Sequence, residues 1–293
     1  MGGYKQSGNG RENGQFGLEE YLEGQGDDRL SGTRGRNVSP IELRLLALSG
    51  VPQVRNGDDL AVVVLQAVER DGLRLLTGDV LVLAQKIVSK AEGRVVRLSS
   101  VVPSERAIGL AAQCGKRPEL VELILRESNQ VVRCAPGVIV VEHRLGFVMA
   151  NAGIDQSNLA EGEDEDNALL LPHDPDASCA RLRAQLRAET RADVAVVIID
   201  SHGRAWRQGT VGVAIGVAGM PALLDLRGHP DLFGRKLKTT EVGLADELAS
   251  AASLLMGQAA EGRPIVLARG VPYARRDAAA SELIRPRQRD LFR

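Results

Sequence analysis

Aromatic residues make up only 3% of this 293-residue chain, and there are just three cysteines. So few rings weaken any reading in which single-stranded nucleic acid stacks on aromatic side chains. The 37 Lys and Arg nearly cancel the 38 Asp and Glu, leaving a net charge of −1. No global field therefore gathers nucleic acid or an anionic membrane surface. No apolar run reaches the ~18 residues of a transmembrane helix, and the opening MGGYKQSGNGRENGQ lacks the apolar core of a secretory signal. These absences predict a cytoplasmic protein whose partners are neither nucleic acid nor membrane. Cys114, Cys134 and Cys179 are odd in number, far apart and without metal-ligand spacing, so they read as buried or idle thiols in a reducing compartment. Generic nucleotide signatures are missing too. There is no G-x-x-x-x-G-K-[ST] loop, and GTVGVAIGVAG is not G-x-G-x-x-G.

What is present is a globular composition, 44% apolar and 26% charged, on a chain long enough for a substantial core. Residues 1–38 are polar, Gly-rich and unpatterned, which predicts a mobile tail. An ordered domain is expected over 39–275, opening on IELRLLALSG, read as a strand over 41–49, with 276–293 a C-terminal tail. A helix is predicted to start near Asp58 or Asp59, whose acids suit a helix N-terminus. GDVLVLAQKIVSKAEGR reads as a buried strand over 80–84 leaving into a polar loop. SERAIGLAAQCG and PELVELILRES are two amphipathic helices separated by a Gly stop and a Pro start. VVRCAPGVIVVEHRLGFVMANAG reads as short antiparallel strands with Gly turns, and DPDASCARLRAQLRAET as a helix capped by Asp176. DVAVVIIDSHGR is a buried strand ending in a polar turn; an Ala-rich helix, VGLADELASAASLLMGQ, and a last strand, RPIVLARG, follow. Strands and helices mix without regular βαβ alternation. The expected class is therefore α+β, with mixed or antiparallel sheets and packed helices.

Polar groups collect where apolar strands end, which is where a scaffold presents function. In NAGIDQSNLAEGEDEDN, Asp155 sits in a tight turn among amides and a hydroxyl, ahead of five closely spaced acids. The residue types suit a plain surface turn and equally a hard-metal or phosphate site. The acids from Glu161 to Asp166 read as a solvated loop rather than ligands. In VAVVIIDSHGRAWRQG, Asp200 and Ser201 are expected in a turn, where they could bind a divalent ion, with Arg204 and Arg207 free to neutralise phosphate. In QKIVSKAEGR, Lys86, Ser89, Lys90 and Arg94 form a loop suited to a triphosphate. Of the four histidines, only His202, beside Asp200, is a candidate for a role.

Taken in order, GVPQVRNGDDLA, GDVLVLAQKIVSKAEGR, NAGIDQSN, LLPHDPDAS, IIDSHGRAWRQGTVGVAIGVAG, DLFGRKL and ADELASAASLLMGQ resemble the coenzyme F420-0:L-glutamate ligases over roughly residues 43–270. The resemblance implies an α+β enzyme, an intertwined homodimer, that uses GTP to add γ-linked L-glutamate to a deazaflavin coenzyme. It implies two divalent ions, Mg²⁺ or Mn²⁺, and a potassium ion. Carried across, Asp155 and Asp200 become metal ligands, Ser201 and Gln258 serve the second metal, and Asn158 contacts GTP. Val51, Pro52, Gln53 and Val54, with Gln85, Lys86 and Lys90, hold nucleotide. So does the run Met256, Gly257, Gln258, Ala259, Ala260, Glu261, Gly262 and Arg263. Asp155, Asp200 and Lys90 form the catalytic set. Ser201 stands where Thr is common in the family, and Gln258 where Glu occurs; Gln keeps a carbonyl oxygen but loses a charge. Separately, GGYKQSGNGRENGQFGLEEYLE resembles the C-terminal tail of aldehyde dehydrogenases. With no dehydrogenase attached, it reads as a fusion remnant or an upstream start. Two alternatives stay open: a non-catalytic deazaflavin- or nucleotide-binding relative, and a ligase of the same fold with another carboxylate acceptor.

Overall fold

The computed structural model describes residues 41–157 and 166–290. The tail over 1–38, Asn158 and most of the acidic run lie outside the described residues. The chain divides into two units, Glu42–Leu224 with Val242–Arg293, and the excursion Asp225–Glu241, whose unit also takes in the chain start.

The larger unit is built on a five-stranded sheet with the order β1 (Arg44–Ala47), β12 (Ile265–Arg269), β2 (Val80–Ala84), β8 (Ala195–Arg204), β9 (Arg207–Ala218). β2 and β8 run parallel, in register from Val80↔Ala195 to Ala84↔Ile199, and the other pairings are antiparallel. The paired stretches Val80–Ala84, Ala195–Ile199 and Ile265–Ala268 are apolar at every position because both faces are covered. Leu81, Leu83, Val196 and Ile198 face one core, with side chains of α1 (Leu60–Arg70) and α5 (Pro175–Thr190). Val80, Val82, Val197 and Ile199 face the other, under α6 (Leu244–Met256). A third core lies between α3 (Glu105–Cys114), α4 (Pro118–Arg126) and the small sheet of β4 (Ser128–Ala135), β5 (Val138–His143) and β6 (Val148–Ala150). β3 (Val95–Arg97) pairs with β7 (Asn167–Leu169). The class is α+β, as expected.

Local chemistry explains most boundaries. Asp59 caps α1 by accepting the Ala61 N–H at 2.8 Å, and Ser104 caps α3 by accepting that of Ala107. Gly115, at φ 67°, ends α3 in the left-handed conformation. Three expectations need correcting. The loop expected after Ala84 is a helix, α2 (Gln85–Ala91). Its buried face contains Gln85 and Ser89 beside Ile87 and Val88, and the Ser89 hydroxyl donates to Gln85 Oε1 at 2.8 Å. Two polar side chains that satisfy each other inside the protein disguise an amphipathic helix. Asp176 does not cap α5. Asp174 does, through the Ala177 N–H at 2.9 Å, with Pro175 as the first helical residue. Asp176 instead accepts the N–H groups of Val217 and Ala280. Finally, Asp200 and Ser201 are not in a turn. β8 continues to Arg204, paired Asp200↔Val213 and Ser201↔Gly212, and the hairpin turns at Ala205 and Trp206, where φ is 57°.

The excursion is organised by its own carboxylates. Asp231 accepts the N–H groups of Phe233 and Arg235, both at 2.8 Å, and Arg227 reaches Asp225 and Glu241 at 2.6 and 3.3 Å. Residues 276–290 are also ordered by contacts: Ala280 is buried, Arg276 pairs with Glu282, and Arg287 pairs with Glu142 at 2.7 Å.

Candidate functional site

Asp155 is delivered by a strained turn and then clamped. After β6, Asn151, Ala152 and Gly153 take φ of 50°, 53° and 65°, three successive left-handed residues. The turn is held because Ala152 is fully buried and Asn151 Oδ1 accepts the Ile139 N–H. At Gly153 a side chain would collide with Met149 and Leu171. Asp155 itself exchanges two backbone hydrogen bonds with Leu169, at 3.0 and 2.8 Å, so its Cα is anchored to a buried strand. Both carboxylate oxygens are engaged. Lys86 Nζ lies 2.7 Å from Oδ2, while the Ser157 N–H and hydroxyl donate to Oδ1 at 2.7 and 2.8 Å. Lys86 also donates to Ser157 Oγ at 2.9 Å, closing the triangle. Burial raises the Asp155 pKa, but the bonds from Lys86 and Ser157 outweigh it and hold the carboxyl below its ordinary value.

Asp200 and Ser201 point to opposite faces of β8, as consecutive strand residues must. Asp200 lies mostly buried, with His202 Nε2 at 3.2 Å from its Oδ2. The Ser201 hydroxyl donates to Gln258 Oε1 at 2.9 Å. Gln258 follows α6 in a turn folded around Glu261, whose carboxylate accepts the Ala259 N–H at 2.8 Å. That bond, with neighbouring backbone N–H groups, lowers the Glu261 pKa. Gly257, at φ 74°, lies where a side chain would overlap Glu261.

The structure thus joins Asp155 to Lys86, and Ser201 to Gln258, across long sequence separations. β6, which feeds the Asp155 turn, packs on β8. Lys86 and Lys90 lie four residues apart on one face of α2, while Gln85 is buried beneath them. Pro52 and Gln53 are exposed, Val54 and Met256 belong to the core, and Ala259, Ala260, Glu261 and Gly262 are exposed. Among the described residues, no group of three or more His, Cys, Asp and Glu is gathered as for a metal ion. The donors present still fit a hard divalent cation. They are carboxylate, hydroxyl and amide oxygens, and a cation, the Lys86 ammonium, already sits on Asp155. A cavity of about 640 Å³ between α5 and Gly219 touches none of these residues.

The family model described as F420-0:Gamma-glutamyl ligase matches residues 50–270. The chain belongs to this family. A relative from Methanothermobacter thermautotrophicus, named Coenzyme F420:L-glutamate ligase, is 47% identical over 253 residues, covering 86% of this chain and 99% of its own. Proteins of the same name from Methanopyrus kandleri and Methanocaldococcus jannaschii are 47% and 41% identical, each over 258 residues, covering 86% and 88% of this chain and 99% and 98% of their own. The matched span holds every described candidate residue. Reading the sequence missed Ser157, whose D-x-S spacing after Asp155 is the pattern of an Asx turn. No helix among the described residues is long and apolar enough to cross a membrane.

Proposed function

We propose that this protein joins L-glutamate to coenzyme F420-0 through an amide bond, as a GTP-dependent, cytoplasmic homodimeric ligase. The observation that carries the reading is the family match, which runs through the Asp155, Asp200 and Lys86–Lys90 elements as one colinear span. A carboxylate is a poor electrophile, so amide formation needs it activated. The acceptor carboxylate attacks the γ-phosphorus of GTP, the bond to the β-phosphate oxygen breaks, and GDP leaves. The glutamate amine then attacks the acyl phosphate carbon; the C–O bond breaks, inorganic phosphate leaves, and the amine proton passes to solvent.

Such phosphoryl transfer asks for charge neutralisation and alignment rather than a protein nucleophile. Lys86 and Lys90, on one face of α2, neutralise phosphate oxygens. Two divalent ions, Mg²⁺ or Mn²⁺, would be held by Asp155 and Asp200 and by Ser201 with Gln258, supplying Lewis-acid charge stabilisation, with potassium as an accessory ion. The clamp on Asp155 and the ladder position of Asp200 keep these carboxylates in place, so little reorganisation is needed as charge develops. Val51–Val54, Asn158 and Met256–Arg263 complete the nucleotide contacts in this reading.

The test is to incubate purified protein with coenzyme F420-0, L-glutamate, GTP and Mn²⁺ and to read product masses. A product heavier by one or more glutamyl residues is expected, with GTP outperforming ATP at equal concentration. Binding of coenzyme without any product would favour a non-catalytic relative. Turnover only with a different carboxylate would reassign the acceptor.

A further inference from the structure

At the outer edge of the main sheet, beside β9, lies a cavity of about 240 Å³ lined by Phe147, His202, Asp246, Leu283, Ile284 and Arg285, among others. It is smaller than the ~300 Å³ at which pockets for drug-sized ligands begin, so it suits an amino acid rather than a nucleotide. One end borders the candidate reaction centre, because His202 Nε2 is also 3.2 Å from Asp200 Oδ2. That nitrogen is buried and makes no hydrogen bond among the described residues.

The polar groups of the cavity are unbalanced in a telling way. Asp246, in the first turn of α6, accepts the Ala214 N–H on Oδ1 at 2.9 Å, and this is its only hydrogen bond among the described residues. Burial pushes its carboxyl up, against the Ala214 N–H and the nearby His202, and no Lys or Arg pairs with it among the described residues. Arg285 is exposed and has no carboxylate partner among the described residues. Phe147, Leu283 and Ile284 supply an apolar wall. A carboxylate with no Lys or Arg on it and an arginine with no carboxylate on it, with apolar surface around them, complement a zwitterion with a short aliphatic chain.

We propose that this cavity binds the incoming L-glutamate, its ammonium on Asp246 at the His202 end and a carboxylate on Arg285 at the mouth. The proposal rests on the ligase reading, in which glutamate is the one substrate small enough to fit. It places the attacking amine on the side of the cavity that borders Asp200. It also gives the segment after residue 280 a task, because Leu283, Ile284 and Arg285 form one wall.

The test uses the full chain with Arg285→Gln and Asp246→Asn; the latter keeps an oxygen for the Ala214 N–H. Calorimetric L-glutamate affinity and the KM values of all three substrates are measured, with urea midpoints to verify folding. Each variant is expected to weaken L-glutamate binding and to raise its KM about tenfold or more, leaving KM for GTP and coenzyme unchanged. If Asp246→Asn fails to fold, the exposed Arg285 decides alone. Wild-type glutamate affinity and KM in the variants, with ligation intact, would overturn the site and spare the ligase reading. Glutamate binding that the variants lose, in a wild-type protein forming no product, would keep the site and sink the ligase reading. A wild-type protein that neither ligates nor binds L-glutamate would end both.

Discussion

At the scale of single residues, the protein controls carboxylates by deciding what stands next to them. Asp155 is charged and fully engaged, with the Lys86 ammonium on one oxygen and Ser157 on the other. Asp246 is equally tucked in but has no Lys or Arg paired to it among the described residues, and burial pushes it the opposite way. On the ligase reading, Asp155→Asn and Asp200→Asn keep shape and an oxygen but remove the charge that offsets a divalent cation. Each is expected to fold normally and lose on the order of a hundredfold or more in turnover. The double variant should be little worse than either single one, because groups serving one centre are not additive. Gln258→Ala should be milder, since a neutral amide holds a cation less firmly. Steady-state rates across a Mn²⁺ titration check this, and near-normal turnover of Asp200→Asn would remove Asp200 from the centre.

At the scale of elements, the glycines of β9 have a packing explanation. A Cβ at Gly212 would lie 2.4 Å from the Ala249 carbonyl oxygen of α6. One at Gly216 would lie 2.7 Å from the backbone of Pro175, where α5 begins. Helices thus rest directly on strand backbone on the two faces of one strand, which holds the hairpin carrying Asp200 and Ser201 against both. Gly212→Ala and Gly216→Ala are each expected to destabilise the fold by about 1–3 kcal/mol, because backbone cannot swing aside as a flexible side chain can. Urea unfolding should show lower midpoints for both. By contrast, Gly209→Ala meets no atom within 4 Å, so its cost would be conformational alone, from φ 81°.

At the scale of the larger unit, one carboxylate ties distant segments together. Glu127, just after α4, takes Arg94 and Arg144 at 3.0 Å each and lies 3.6 Å from His143. Burial alone would raise its pKa, but the His143 and Arg144 contacts and the Arg94 charge lower it from 4.5 to about 2. A folded-state pKa below the unfolded one contributes stability above the unfolded value, and that stability is lost as pH falls towards the folded one. The window therefore runs from about 4.5 down to about 2. The contribution is on the order of 3 kcal/mol at neutral pH. Glu127→Gln should be less stable than wild type at pH 7 and converge with it towards pH 2. Urea midpoints across that range measure the effect, and parallel curves at all pH values would refute it.

Local signals in the chain were enough to determine where most helices and strands lie. Asp59, Ser104, Gly115 and Pro118 act within a turn of themselves, and the apolar runs of β2, β8 and β12 state directly that both their faces are covered. The colinear blocks from GVPQVRNGDDLA to ADELASAASLLMGQ were enough to determine the family. Tertiary structure alone decided what depends on partners far along the chain. Gln85 and Ser89 look like loop residues until burial shows them bonded to each other inside a helix. The Asp155–Lys86 pair and the Ser201–Gln258 bond span long stretches of sequence, and Asp246 and Arg285 border one cavity only because α6 and the segment after residue 280 meet at the edge of β9. Caps, turns and periodicity are short-range and leave a trace in composition, whereas a charge pair or a cavity wall is set by the path of the whole backbone and leaves none.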